Sequence, residues 1–138
     1  MKRDPRFHGL STDHHHALVL ARSLCDGRAP WTADGGARLG RRFDSEIEPH
    51  FRIEEDVLLP ALRSLGRESL VVRVLTDHGA LRAAIEAARA GDESAARAFA
   101  QRLIEHVRFE ERELFSACEE SLPDDVLDEL GRRAPIRR

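Results

Sequence analysis

Two hexapeptides in this chain share one pattern of chemically capable residues: His50-Phe51-Arg52-Ile53-Glu54-Glu55 and His106-Val107-Arg108-Phe109-Glu110-Glu111. Each reads His, apolar, Arg, apolar, Glu, Glu. On a helix, residues four apart lie one turn above each other on the same face, so each copy aims an imidazole and a carboxylate the same way. A second repeat, Thr-Asp-His, occurs at Thr12-Asp13-His14 and Thr76-Asp77-His78. The chain order is therefore His, His-x3-Glu, His, His-x3-Glu, a helical hairpin written twice. Neutral imidazoles and carboxylates suit iron, manganese or zinc better than calcium or magnesium. Four histidines and two glutamates exceed the needs of one tetrahedral zinc and divide into equal halves. The arrangement that uses them evenly is two metals bridged by Glu54 and Glu110, with two histidines on each. If each metal takes about six ligands, a bridging oxide or hydroxide still leaves about one open position per metal, and a small molecule could reach the pair.

Four helices must carry these residues. Residues 1–11 read as a polar N-terminal arm from which Phe7 and Leu10 can pack elsewhere. A first helix is expected from Thr12, with Ser11 or Thr12 as N-cap, to about Asp26. Gly27, Pro30, Asp34, Gly35 and Gly36 mark a loop in which Trp31 would plug the end of the bundle. The second helix is expected over residues 37–65, bent near Ser45 by Pro49 and bent again or ended early by Pro60. The third runs over about 68–90 and the fourth from Asp92, as N-cap, to about Ser121. Residues 122–138 supply a short helix, opened by Pro123 and ended by Gly131, and a basic tail. The spacing predicts an all-α fold, an antiparallel up-down four-helix bundle over 12–121 with a short extra C-terminal helix. Counted along the helices at 1.5 Å per residue, the four motifs fall at one depth to within about a helical turn.

The first helix offers three histidines. The apolar positions from Leu10 to Cys25 centre on the His14 side, and His15 and His16 point away. Aligning on the later Ala-Leu pairs would match His15 to His78 instead, so His15 stays in reserve. His8 reads as a surface residue. Glu55 and Glu111 are expected on a solvated face, paired with Arg52 and Arg108. Glu46 and Arg102 occupy equivalent places before the two hexapeptides, where they either pair below the metals or leave Glu46 to Arg42 at the surface. Glu113, seven residues past His106, is expected to point inward toward an arginine of the arm. Phe43, Phe51, Phe99, Phe109 and Phe115 read as core.

Composition limits the alternatives. The chain has 138 residues, enough for one core, and a formal net charge of −3, which argues against a nucleic-acid footprint. No apolar run approaches the roughly 20 residues of a membrane span, and the N-terminus lacks the apolar segment of an export signal. Cys25 and Cys118 fall at opposite ends of antiparallel helices, so reduced thiols in a cytoplasmic protein are expected. The chain has no tyrosine, which excludes a tyrosyl radical.

The motif order resembles that of the hemerythrin-like (HHE cation-binding) family over about residues 8–121, with His14, His50, Glu54, His78, His106 and Glu110 at the family's ligand positions. The resemblance implies a four-helix bundle holding two non-haem iron ions, with oxide or hydroxide between them, zinc or manganese being the alternative. It implies a protein that binds dioxygen or a related small ligand for sensing, storage or iron handling. The alternatives are a di-iron enzyme acting on peroxide or nitric oxide, and a structural zinc or manganese bundle. Oxygen-carrying hemerythrins are similar but have a further histidine four residues before the one at His78, where this chain has Val74. A ferritin-like site, with Glu-x-x-His at three-residue spacing, fits the pattern poorly. The expected partner is a small diatomic molecule or peroxide, with no role for nucleic acid or membrane.

Overall fold

The computed structural model describes residues 2–27 and 31–136, and every regular element among them is helical. A short 3₁₀ turn, Pro5–Phe7, leads directly into α1, His8–Cys25. The long helix α2 covers residues 35–64, α3 is Glu68–Arg89, α4 covers 93–121, and α5 is Asp124–Arg133. Of the expected loop, Pro30 lies outside the described residues, as do the last two arginines of the tail.

Local chemistry accounts for most boundaries. Gly66 and Gly91 take positive φ after α2 and α3, where a side chain would be strained. The Asp92 carboxylate accepts the Ala95 N–H at 3.1 Å and opens α4 as an N-cap. Helix α2 is not regular. At Phe43–Ile47 and again at Glu54–Leu58 it widens by one residue, so that the Glu48 N–H reaches back five residues to Phe43 and the Leu59 N–H to Glu54. Pro49 and Pro60 supply no N–H to the carbonyls of Ser45 and Asp56, which lie inside these two widened turns. The helix is therefore irregular around Ser45, where a bend is expected, and it continues past Pro60 to Ser64 instead of ending early. A third widened turn, Glu110–Leu114, has no proline near it. It begins at the residue that matches Glu54 in the other half of the chain.

The start of α1 departs from expectation. The helix begins at His8, four residues before Thr12, because Asp4 and Pro5 already form a start signal. The Asp4 carboxylate accepts the Arg6 N–H at 2.9 Å, and Pro5 sits where its missing N–H costs nothing. The segment is tied down further along its length. The Asp4 N–H donates to Glu119 at 2.6 Å, Arg3 pairs with Glu119, and Arg6 reaches Asp128 at 2.9 Å.

The apolar interior forms two clusters. One contains Phe7, Leu10, Leu58, Leu62, Val74, Phe115, Leu127 and Leu130, so the Pro5–Phe7 turn, the first turn of α1 and α5 together close that end. The other contains Phe43, Phe51, Leu81, Ile85, Phe99 and Leu103, with Trp31 partly buried against it. All five expected core phenylalanines are buried. Cys118 packs in the first cluster and Cys25 against the second, and both are free thiols. Burial drives the Cys118 thiol up to about 12, which keeps it protonated and unreactive. No helix among the described residues is long and apolar enough to cross a membrane.

Helix α5 runs through Gly131 to Arg133, since one glycine costs a helix only about 1 kcal/mol. Ala134 then turns under α1. A methyl group on Gly9 would lie 1.7 Å from the Ala134 carbonyl oxygen, whereas one on Gly131 would meet only the Arg6 side chain, at 3.4 Å. Gly9→Ala is expected to destabilise the protein by about 2–3 kcal/mol in urea unfolding, and Gly131→Ala to be neutral or stabilising.

Candidate metal centre

Between the two apolar clusters lies a polar layer of six buried side chains: His14, His50, Glu54, His78, His106 and Glu110. None exceeds 5% exposure, and both carboxylates are fully buried. Each helix from α1 to α4 contributes. His14 comes from α1, His50 and Glu54 from α2, His78 from α3, and His106 and Glu110 from α4. The structure turns His14 inward and leaves His8, His15 and His16 exposed. At the position of a further third-helix histidine, Val74 is fully buried and apolar.

The Nε2 atoms of all four imidazoles face the two carboxylates. His14 lies 2.8 Å from Glu110 Oε1, His50 3.2 Å from Glu54 Oε2, His78 3.1 Å from Glu54 Oε1, and His106 3.1 Å from Glu110 Oε2. Two nests result, His14-His50-Glu54-Glu110 and Glu54-His78-His106-Glu110, each with its donor atoms within 4.8 Å of one another. Both glutamates belong to both nests. Four of these atoms, His50 Nε2, His106 Nε2, Glu54 Oε2 and Glu110 Oε2, are buried without a hydrogen-bond partner, because the close His–Glu approaches are not aligned for donation. Buried polar atoms are rarely left so, and a cation among them would engage all four.

The other ring nitrogen of each histidine is engaged by a second set of carboxylates. The Nδ1–H of His50 donates to Asp13 at 3.1 Å and that of His106 to Asp77 at 2.9 Å. The Nδ1–H of His78 donates to Glu55 at 2.6 Å and that of His14 to Glu111 at 2.7 Å. These four bonds tie α1 to α2, α2 to α3, α3 to α4, and α4 back to α1, a closed ring. In the neutral rings that metal binding requires, they fix the tautomer whose Nε2 carries the lone pair. Glu55 is held in turn by Arg82, at 2.9 Å, which also grips Glu48 at 2.7 Å. Ser11 donates to Glu111 at 2.9 Å, and Arg3 also approaches it. Aromatic rings brace two histidines from the side. Phe51 stacks on His78 with centroids 3.8 Å apart, and Phe115 on His14 at 5.2 Å.

The electrostatics follow from this crowding. Burial alone would raise the Glu110 carboxyl, but His106 and its other neighbours outweigh it and hold it well below the usual range. Burial alone would lower His106, yet Glu110 and Asp77 lift it to about 10. Glu55 is likewise pushed up by burial but drawn down to about 2 by His78 and Arg82. Glu110 is thus ionised at neutral pH, the form in which a carboxylate binds a metal.

The family model of the hemerythrin HHE cation-binding domain matches residues 7–118. The chain belongs to that family. No curated protein and no solved structure gives a significant match. In this hemerythrin-like chain the match takes in the Pro5–Phe7 turn at its last residue and stops before α5, although α5 completes the core at that end.

Two expectations about the surroundings of the hemerythrin-like site are corrected, and one open alternative is decided. Glu55 and Glu111 do not pair with Arg52 and Arg108 on a solvated face; Arg52 reaches Glu48 at 3.5 Å and Arg108 is exposed. A residue 100° from the inward ridge is exposed on an isolated helix, but in a bundle it lies on the seam with the next helix. Glu46 pairs with Arg42 at 2.8 Å and Arg102 is exposed, so no ion pair joins them below the site. Glu113 is also exposed, because the widened turn at Glu110–Leu114 adds a residue and brings Leu114 inward instead. Arg3 meets Glu111 and Glu119 in its place. The four outer carboxylates went unrecognised in the sequence although the repeats contain them, Asp directly before one histidine and the second Glu of each pair.

Proposed function

We propose that the protein binds two metal ions, iron first, bridged by Glu54 and Glu110, with His14 and His50 on one and His78 and His106 on the other. The helices α1 to α4 are read as an antiparallel up-down bundle around this pair, with α5 as an added C-terminal helix. The observation that carries the reading is the pair of overlapping nests that share both glutamates and contain four otherwise partnerless buried atoms. Iron held there by His14, His50, Glu54, His78, His106 and Glu110 would supply redox chemistry and affinity for a small exogenous ligand. The chain's own residues aim the four Nε2 atoms, through Asp13, Asp77, Glu55 and Glu111, and keep bulk water out with Phe51 and Phe115. The function that fits is binding of dioxygen or a related small ligand, for sensing, storage or iron handling, in the cytoplasm.

Elemental analysis after expression in iron-replete medium, followed by optical spectra as reduced protein meets air, tests this. About two irons per chain and new charge-transfer bands are expected. Two irons without such bands would refute dioxygen binding, and stoichiometric zinc or manganese would refute iron. Turnover of peroxide or nitric oxide well above that of free iron would make the protein an enzyme.

A further inference from the structure

Beside the centre, between α1, α2 and α4, lies a chamber of about 200 Å³. Its walls are mainly apolar, with Ala17, Leu20, Ile47 and Leu103 among them. Its inner end is formed by His14 and His50, and Arg42 and Glu46 lie at its mouth. A water molecule takes up roughly 30 Å³, and an apolar cavity of about 150 Å³ can hold benzene. A diatomic ligand would leave most of this space to water, which finds few partners on such walls. The charges at the mouth neutralise each other, since the Arg42 Nε–H donates to Glu46 at 2.8 Å. Of the other polar side chains that line the chamber, Asp13, His14, His50 and His106 belong to the centre, and His16 is exposed.

We infer that the centre accepts a ligand with an oxygen-donor head and a hydrocarbon body about the size of a benzene ring, the head directed toward His14 and His50 and the body held in the chamber. This rests on the proposed metal centre for its inner end. The class comprises small aromatic and branched alkyl acids and their oxygen-donor relatives. Selection comes from the apolar walls, so affinity rises with the size of the body until the chamber is full and falls beyond that.

Benzoate and acetate serve as probes because they share a head and differ in body. Their binding to the iron-loaded protein is measured by calorimetry at one pH and ionic strength. Benzoate is expected to bind at least tenfold tighter, and Ala17→Leu, which extends a side chain into the chamber, to bring that ratio close to one. A ratio near one in the unaltered protein overturns the inference, and so does an unchanged ratio in a folded, iron-loaded Ala17→Leu protein. If the variant fails to fold, the ratio in the unaltered protein decides. Iron content and the spectral response to azide are read on the same samples. Iron bound and azide seen, with benzoate and acetate alike, removes only the chamber assignment, whereas absence of bound iron removes the metal centre itself.

Discussion

Glu110→Ala is expected to empty both metal positions at once, reducing bound metal from about two ions per chain to a small fraction of one. The reason is that Glu110 belongs to both nests and faces histidines from two helices, His14 at 2.8 Å and His106 at 3.1 Å. Its carboxylate is fully buried and ionised, so its loss also leaves the imidazoles without the charge that offsets a divalent cation. Loss of a histidine differs in kind. His14 belongs to one nest only, so His14→Ala is expected to retain the ion of the other nest more strongly than its own. Asp77→Asn leaves every proposed ligand in place and loosens only the hold on His106, which predicts a weakening of about 10- to 100-fold in affinity with stoichiometry preserved at saturating metal. Metal per chain after desalting, measured beside a competitive chelator titration, separates these outcomes. Equal metal content in Glu110→Ala and the unaltered protein would exclude a bridging role.

Phe51→Ala is expected to cost about 3–5 kcal/mol, a large part of the roughly 5–15 kcal/mol that holds a domain of this size folded. Phe51 is 1% exposed and has few ways to be replaced by collapse. One face lies against the His78 ring at 3.8 Å, its edge meets Phe43 at 6.0 Å and His106 at 5.8 Å, and the Arg82 guanidinium sits 5.5 Å from its centroid. Truncation removes apolar burial, the stacking on His78 and the surface on which Arg82 rests while it holds Glu55. Urea unfolding should show the loss with and without metal. Phe51→Leu, which refills most of the volume, should recover much of it. A cost below about 1 kcal/mol for the alanine variant would mean that the neighbouring side chains close over the gap.

The gathering of the six inward residues was legible because it depends on two rules that the chain obeys twice. Four-residue spacing places His50 with Glu54 and His106 with Glu110, and short connections bring the motifs to one depth. Asp92 and Pro49 were legible for the same reason, each acting on the backbone within four residues of itself. The parts that were not legible depend on the space between helices or on departures from the regular turn. Arg82 finds the Glu55 carboxylate and Arg3 that of Glu119 across helix boundaries, at separations of 27 and 116 residues, which no local pattern encodes. Glu113 was misplaced because counting assumes 100° per residue, and the widened turn after Glu110 breaks that count without any proline to announce it. Glu55 and Glu111 sat in plain view beside the proposed ligands, and their place on a seam emerges only when the neighbouring helix is present.

The ring of carboxylate–imidazole bonds repeats with the symmetry of the two hairpins. Asp13 to His50 and Asp77 to His106 lie within each hairpin, while Glu55 to His78 and Glu111 to His14 cross from one hairpin to the other. One hairpin therefore carries every donor and acceptor the circuit needs, but closes only half of it. Two identical hairpins related by a twofold axis would close all of it, since each would lend its second glutamate to the other's first histidine. The present chain has the symmetry of a self-complementary dimer, its two halves joined through the turn at Gly66.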